Sequence, residues 1–121
     1  MPKFLLCDDE PVMRSVLKAA LRKLRPAAEF VEVGAAYDAA FAFDKETFDA
    51  VFLDMELNGG PGGLFATNML ARKHPANRIV LVTSLGPEDA RVKAAVAKGT
   101  NYVQKPVKQD ALAKILEQMA V

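Results

Sequence analysis

Five short apolar runs, at residues 4–7, 30–33, 51–53, 79–82 and more weakly 102–103, punctuate the chain, with stretches of helical spacing between them. Continuous apolar character without polar alternation marks strands covered on both faces. In the first intervening stretch Met13, Val16, Leu17, Ala20, Leu21 and Leu24 recur at helical spacing, and near the end Leu112, Ile115, Leu116 and Met119 do the same. Pro11 suits a first helical turn, with Asp9 placed to cap it. Residues 35–45 and 64–73 carry Ala, Phe and Leu without internal proline. A further helix is expected at about 87–97, opened by Pro87-Glu88-Asp89 and closed by Gly99. Strand and helix thus alternate five times, which predicts an α/β protein with a parallel sheet and helices on both faces.

A length of 121 residues corresponds to one domain, residues 1–121, with a single substantial core. The 16 basic and 15 acidic side chains nearly cancel, and no run of Lys or Arg appears, so no nucleic-acid partner is expected. The apolar run at 4–7 is far too short for a signal peptide or a membrane span and is stopped by Asp8 and Asp9. The lone Cys7 cannot form an internal disulfide, which agrees with a reducing compartment. A cytoplasmic protein without membrane contact is expected.

Open parallel sheets bind ligands at the carboxyl ends of their strands. The residues there are Asp8 and Asp9 after the first run, Asp54 after the third, Thr83 and Ser84 after the fourth, and Lys105-Pro106 after the fifth. Each has an ordinary explanation of its own. Asp9 reads as a helix cap, Asp54 as a turn residue before Asn58-Gly59-Gly60-Pro61-Gly62-Gly63, Thr83 as a capping hydroxyl and Lys105 as a solvated charge. Those explanations leave their meeting on one edge unaccounted for. Two unit charges ~4 Å apart repel by about 4 kcal/mol at an effective dielectric of ~20, so three acids on one rim call for a cation. An all-oxygen ligand set favours Mg²⁺, Mn²⁺ or Ca²⁺ over zinc or copper. Cys7 is a poor additional ligand because successive strand side chains point to opposite faces, and His74, at the far end of the 64–73 helix, reads as a surface residue. A carboxylate beside such a metal is a plausible nucleophile toward phosphorus, with Lys105 and the Thr83 hydroxyl facing the phosphoryl oxygens.

The series Asp8-Asp9, Asp54, Thr83 and Lys105-Pro106 resembles, over the whole chain, the receiver domain of bacterial response regulators in two-component systems. Asp8-Asp9-Glu10-Pro11-Val12-Met13-Arg14 is most similar to the single-domain chemotaxis regulators, and Asn101-Tyr102-Val103-Gln104-Lys105-Pro106 to the family's fifth strand and following loop. The resemblance implies a flavodoxin-like, doubly wound five-stranded sheet in the order 2-1-3-4-5, flanked by five helices. It makes Asp54 the phosphoacceptor and assigns Mg²⁺, or Mn²⁺ in its place, to Asp8, Asp9, Asp54 and the Glu56 backbone carbonyl. Asp9 would ligate directly and Asp8 through water, while Thr83 and Lys105 would contact the phosphoryl group. Tyr102 would be the aromatic whose rotation accompanies activation; read from its surroundings alone it is a half-buried strand residue. The Lys105-Pro106 bond is expected to be cis. Glu56 and Leu85, two residues after Asp54 and Thr83, would border the path of the attacking water and set the phosphoryl lifetime, Leu85 also reading as packing for the following helix.

One departure stands out: the family often carries Met-Pro three and four residues after the acceptor, where this chain has Leu57 and Asn58 followed by glycines. The implied partners are a histidine kinase or phosphotransfer protein and an unidentified output protein. The latter would be met by a monomer through the helix at 87–97, the fifth strand and the last helix. The chain would catalyse only its own phosphorylation and dephosphorylation. With no output domain after Val121, the signal would pass by binding a partner, unless the chain is one domain of a larger regulator or hybrid kinase. Two other functions share parts of the pattern. A Mg²⁺-dependent phosphohydrolase would need an insertion forming a substrate pocket, and a flavin carrier would need a Gly/Ser/Thr-rich loop where this chain has Asp8-Asp9-Glu10-Pro11.

Overall fold

The computed structural model describes residues 1–55 and 76–121. Its strands are β1 (Lys3–Cys7), β2 (Glu29–Val33), β3 (Ala50–Asp54), β4 (Ile79–Thr83) and β5 (Asn101–Gln104). They form one parallel sheet in the order β2-β1-β3-β4-β5, as the family resemblance implied. The helices are α1 (Pro11–Leu24), α2 (Ala36–Lys45), α3 (Ala90–Ala97) and α4 (Gln109–Met119), with a 3₁₀ turn at Ala76–Arg78. The helix expected at 64–73, the glycine-bearing loop, Glu56, Leu57, Asn58 and His74 lie outside the described residues.

Side-chain parity along the strands divides the core into layers. On one face Phe4, Leu6, Phe52, Val80 and Val82 meet Leu17 and Leu21 of α1 and Leu112, Ile115 and Leu116 of α4. On the other, Leu5, Cys7, Val51 and Leu53 pack with Ala39 of α2, while Met55 and Leu81 pack with Val92 and Ala95 of α3. Cys7 faces the α2 layer, away from Asp8 as parity requires, and burial pushes its thiol pKa far up. At the end of the sheet remote from the strands' carboxyl termini, Arg78 donates to the Met119 carbonyl at 3.1 Å and Arg25 to that of Val121 at 2.9 Å. Two guanidinium groups thus take up carbonyls at the negative end of α4.

The strands exceed their apolar runs because ladder bonds need only backbone, so Asp54 and Thr83 are the last residues of β3 and β4 rather than the first beyond them. Strand β2 is not covered on both faces: it lies at the sheet edge, and Glu29 and Glu32 are exposed. Helix α3 begins at Ala90, not near 87, because the Asp89 carboxylate accepts the Arg91 N–H at 2.8 Å and caps the helix there. It ends as expected before Gly99, whose φ of 93° places it in the left-handed region. Pro11 occupies the first turn of α1, but the cap position belongs to Glu10 and not to Asp9. It is Asp8 whose Oδ1 accepts the Glu10 N–H, at 2.9 Å. Among the described residues no helix is long and apolar enough to cross a membrane.

Candidate functional site

Strand register determines which side chains meet at the carboxyl rim. Cys7 lies opposite Leu53, so one further step sets Asp8 opposite Asp54. Asp54 in turn pairs with Val82, and Thr83 with Gln104, which carries the rim on to Lys105. Asp8 and Asp54 are each 5 % exposed and Thr83 1 %, whereas Asp9 is half-buried at the mouth. One carboxylate oxygen from each of Asp8, Asp9 and Asp54 lies within 4.8 Å of the others. Lys105 reaches into the same cluster, with Nζ 3.2 Å from Asp8 Oδ2 and 3.6 Å from Asp54 Oδ2.

Charges at that spacing repel by roughly 3.5 kcal/mol per pair at an effective dielectric of about 20, and Lys105 supplies one positive charge against three acids. Burial works against the Lys105 ammonium, but attraction from Asp54 and then Asp8 outweighs it and holds its pKa above the usual lysine value. Lys105 therefore stays charged throughout the neutral range. The donor chemistry fits a small hard cation. Octahedral Mg²⁺ takes oxygens at about 2.0–2.1 Å, so ligands on opposite vertices lie ~4 Å apart, little less than the observed spread.

Every polar atom of Asp8 is engaged. Its N–H donates to Val33 O at 3.1 Å, Oδ1 accepts from Glu10 and Oδ2 from Lys105, and its main-chain carbonyl accepts from Arg14 Nη1 at 2.5 Å. Thr83 Oγ1 accepts the Leu85 N–H at 3.2 Å, and the Tyr102 hydroxyl donates to the Leu85 carbonyl. Thr83 and Tyr102 thus hold the two sides of one residue. Burial, followed by the charges of Glu88 and Asp89, raises the Tyr102 pKa, so the phenol remains a donor. Tyr102 is half-buried, and its side chain and that of Leu85 pack against the Met55, Leu81, Val92 and Ala95 cluster. Leu85 therefore does pack at the approach to α3, one of the two readings its position allowed. Lys105 N–H donates to Thr83 O at 2.7 Å, and the Lys105–Pro106 peptide is cis, as expected.

The structure thus brings together Asp8, Asp9, Asp54 and Lys105 directly, and joins Thr83, Leu85 and Tyr102 in an adjoining hydrogen-bonded group. Glu56 lies outside the described residues. Sequence reasoning assigned no role to Arg14. Its signal was a cation in the first turn of a helix whose first turn holds no acid, the wrong charge for the positive end of the helix dipole.

A family model described as the response regulator receiver domain matches residues 4–117. The response regulator protein PilR of Pseudomonas aeruginosa is 28 % identical over 105 residues, which cover 87 % of this chain and 23 % of that protein. The alginate biosynthesis transcriptional regulatory protein AlgB of Pseudomonas syringae is 31 % identical over 113 residues, or 91 % of this chain and 24 % of that protein. This chain therefore spans about a quarter of the length of these curated relatives. Among solved structures, the receiver domain of NtrX from Brucella abortus is similar with a TM-score of 0.83 at 25 % identity, over 96 % of each chain.

Proposed function

This chain belongs to the response regulator receiver domain family, and on that footing we propose that it accepts a phosphoryl group on Asp54 from a histidine kinase or phosphotransfer protein in a Mg²⁺-dependent reaction. The observation that carries the reading is the meeting of three carboxylates within 4.8 Å beside the Lys105 ammonium. In the transfer an Asp54 carboxylate oxygen forms a bond to phosphorus as the donor's N–P bond breaks, and the leaving nitrogen keeps the electron pair. Bound Mg²⁺ would neutralise phosphoryl oxygens from Asp8, Asp9, Asp54 and the Glu56 carbonyl. Lys105 supplies positive charge beside the acceptor, and Thr83, whose oxygen accepts from Leu85, retains its hydroxyl hydrogen for a phosphoryl oxygen. Hydrolysis later forms a water–phosphorus bond, breaks the acyl phosphate P–O bond and returns Asp54 as the carboxylate.

Thr83 and Tyr102 would form the switch. A Thr83 hydroxyl drawn toward the phosphoryl group pulls away from the Leu85 N–H, and the Leu85 carbonyl is the partner of the Tyr102 hydroxyl. The change would be read by an output protein on the face of α3, β5 and α4. The chain would act as a cytoplasmic monomer that turns over no other substrate and engages neither nucleic acid nor membrane. PilR, AlgB and NtrX carry no chemotaxis in their names, so a chemotaxis pathway rests on the Asp8 to Arg14 segment alone. The direct test is phosphoryl uptake from acetyl phosphate with Mg²⁺, read as intact mass. A pull-down with and without beryllofluoride tests the output face.

Mg²⁺ should raise the melting temperature of the protein, because an ion that binds the native state preferentially stabilises it. Asp9→Ala should remove that increment; a shift the same as wild type would place the cation elsewhere. The phosphoryl lifetime gives a further expectation. The apolar side chain of Leu85 cannot orient an attacking water, whereas a glutamine amide can, and groups that position or assist such a nucleophile typically contribute at least ~10-fold. Leu85→Gln should therefore shorten the lifetime several-fold with the fold intact, measured as label loss after donor removal. An unchanged or longer lifetime would leave Leu85 as packing against the Met55 and Val92 cluster.

A further inference from the structure

We infer that Arg14 is a positioning residue for the cation: its guanidinium locks the peptide plane joining Asp8 to Asp9 and so aims the Asp9 carboxylate into the site. The inference rests on the metal reading above and assigns the residue that holds the acid pair in place.

Support for β1 by its neighbours runs out at this point. Asp8 N–H still donates to Val33 O at 3.1 Å, but β1 itself ends at Cys7 and α1 starts only at Pro11. Between them the chain must turn while presenting two acids. Arg14 Nη1 donates to the Asp8 main-chain oxygen at 2.5 Å, and because the peptide unit is planar, fixing that oxygen fixes the nitrogen and Cα of Asp9. A second local tie is the Asp8 Oδ1 bond to the Glu10 N–H. Asp9 thus sits between two hydrogen bonds made by its flanking residues.

The guanidinium is itself held. Its side chain is 20 % exposed, and Nε lies 3.5 Å from Glu32 Oε1, whose other oxygen pairs with Lys18 at 3.1 Å. Gly34 lies alongside: a Cβ there would already be in contact with Nη1, at 3.4 Å, and 3.9 Å from the Asp8 oxygen. Glu32 on the edge strand and a residue without a side chain therefore place the arginine against a single carbonyl. Its position in the first turn of α1 opposes the helix dipole, a cost with no return in the helix itself.

Two roles for this cation predict opposite signs. As a mere positive charge near the carboxylates, Arg14 would repel Mg²⁺, and its removal would tighten binding. As a positioning group its removal should weaken binding, even though the site becomes more negative. Outer partners that orient metal ligands typically change affinity by about 10–100-fold.

The test is a Mg²⁺ titration of the folded protein, followed through the Asp9 and Asp54 amide resonances, for wild type, Arg14→Met and Arg14→Lys. We expect Arg14→Met to raise the Mg²⁺ dissociation constant about 10-fold, with the Asp9 amide displaced even in Mg²⁺-free buffer. Arg14→Lys, which keeps one donor and the charge but lacks the fork that reaches Glu32, should recover part of the loss. Unchanged or tighter Mg²⁺ binding in Arg14→Met overturns the inference, as would a lower melting temperature with a wild-type dissociation constant, which marks a purely structural residue. Should Arg14→Met fail to fold, Arg14→Lys decides, and a wild-type dissociation constant with a wild-type Asp9 resonance overturns the proposal. Wild-type protein without a Mg²⁺ response removes the metal site and this inference with it. A responsive wild type matched by Arg14→Met removes the inference alone.

Discussion

Asp54→Asn is expected to abolish phosphoryl uptake from acetyl phosphate completely while leaving the fold intact. Asparagine keeps the shape of the side chain and loses the anionic oxygen that must bond to phosphorus. Asp8 is no substitute, because its Oδ1 is bound by the Glu10 N–H and its Oδ2 by Lys105. The same substitution should raise the melting temperature of the Mg²⁺-free protein. It removes two repulsions at up to 4.8 Å and one attraction at 3.6 Å, a net relief of roughly 2 kcal/mol at an effective dielectric of about 20. Equal labelling of wild type and variant by intact mass would move the acceptor to another residue. A lower Mg²⁺-free melting temperature would show that the Lys105 contact outweighs the repulsion.

Lys105→Met should cut the rate of phosphoryl uptake by at least ~100-fold, the scale on which losing one preorganised stabilising group at a reacting centre is felt. The Lys105 side chain is only 15 % exposed and its ammonium lies against both Asp8 and Asp54, so water replaces it poorly. Mg²⁺ binding should move the other way. With Lys105 gone the three carboxylates lack its compensating charge, and the ion should stabilise the variant by more degrees than it does wild type. Single-turnover labelling and paired melting curves separate the two effects. Uptake within a few-fold of wild type would sink the role of Lys105 beside the phosphoryl group.

Much of this arrangement was legible before any coordinates, and the reason differs from residue to residue. Continuous apolar runs located β1, β3 and β4 because both faces of those strands are covered, and parity alone turned Cys7 away from the acids. The rim acids followed from chain direction, since a parallel sheet gathers all its carboxyl ends on one side. Strand order was supplied by the family resemblance, as periodicity says nothing about which strand lies beside which. What escaped was decided by competition between near neighbours. Asp9 and Glu10 compete for the cap of α1, and Pro87 and Asp89 for the start of α3, and in the second case a single side chain accepting one N–H settles the outcome. Arg14 on Asp8 and Tyr102 on Leu85 are contacts between a side chain and a main-chain carbonyl. Such carbonyls have no residue-type signature, so the sequence could at most mark the cation of Arg14 as misplaced on its helix and not name the atom it binds.

The register of β3 carries a consequence for how the chain finds its fold. Phe52 faces the α1 and α4 layer, Leu53 the α2 layer, and Asp54 follows as the last paired residue, opposite Val82. A slip of one residue either way would exchange the two layers, and a slip toward the amino ends of the neighbouring strands would also draw a carboxylate down among aliphatic side chains, away from Lys105, where an unpaired charge is costly. Inward slips are thereby penalised twice, once by shape and once by charge. The acids at the rim thus act as an end stop for strand assembly, and the register that fills both layers is the one that sets Asp54 at the height of Lys105.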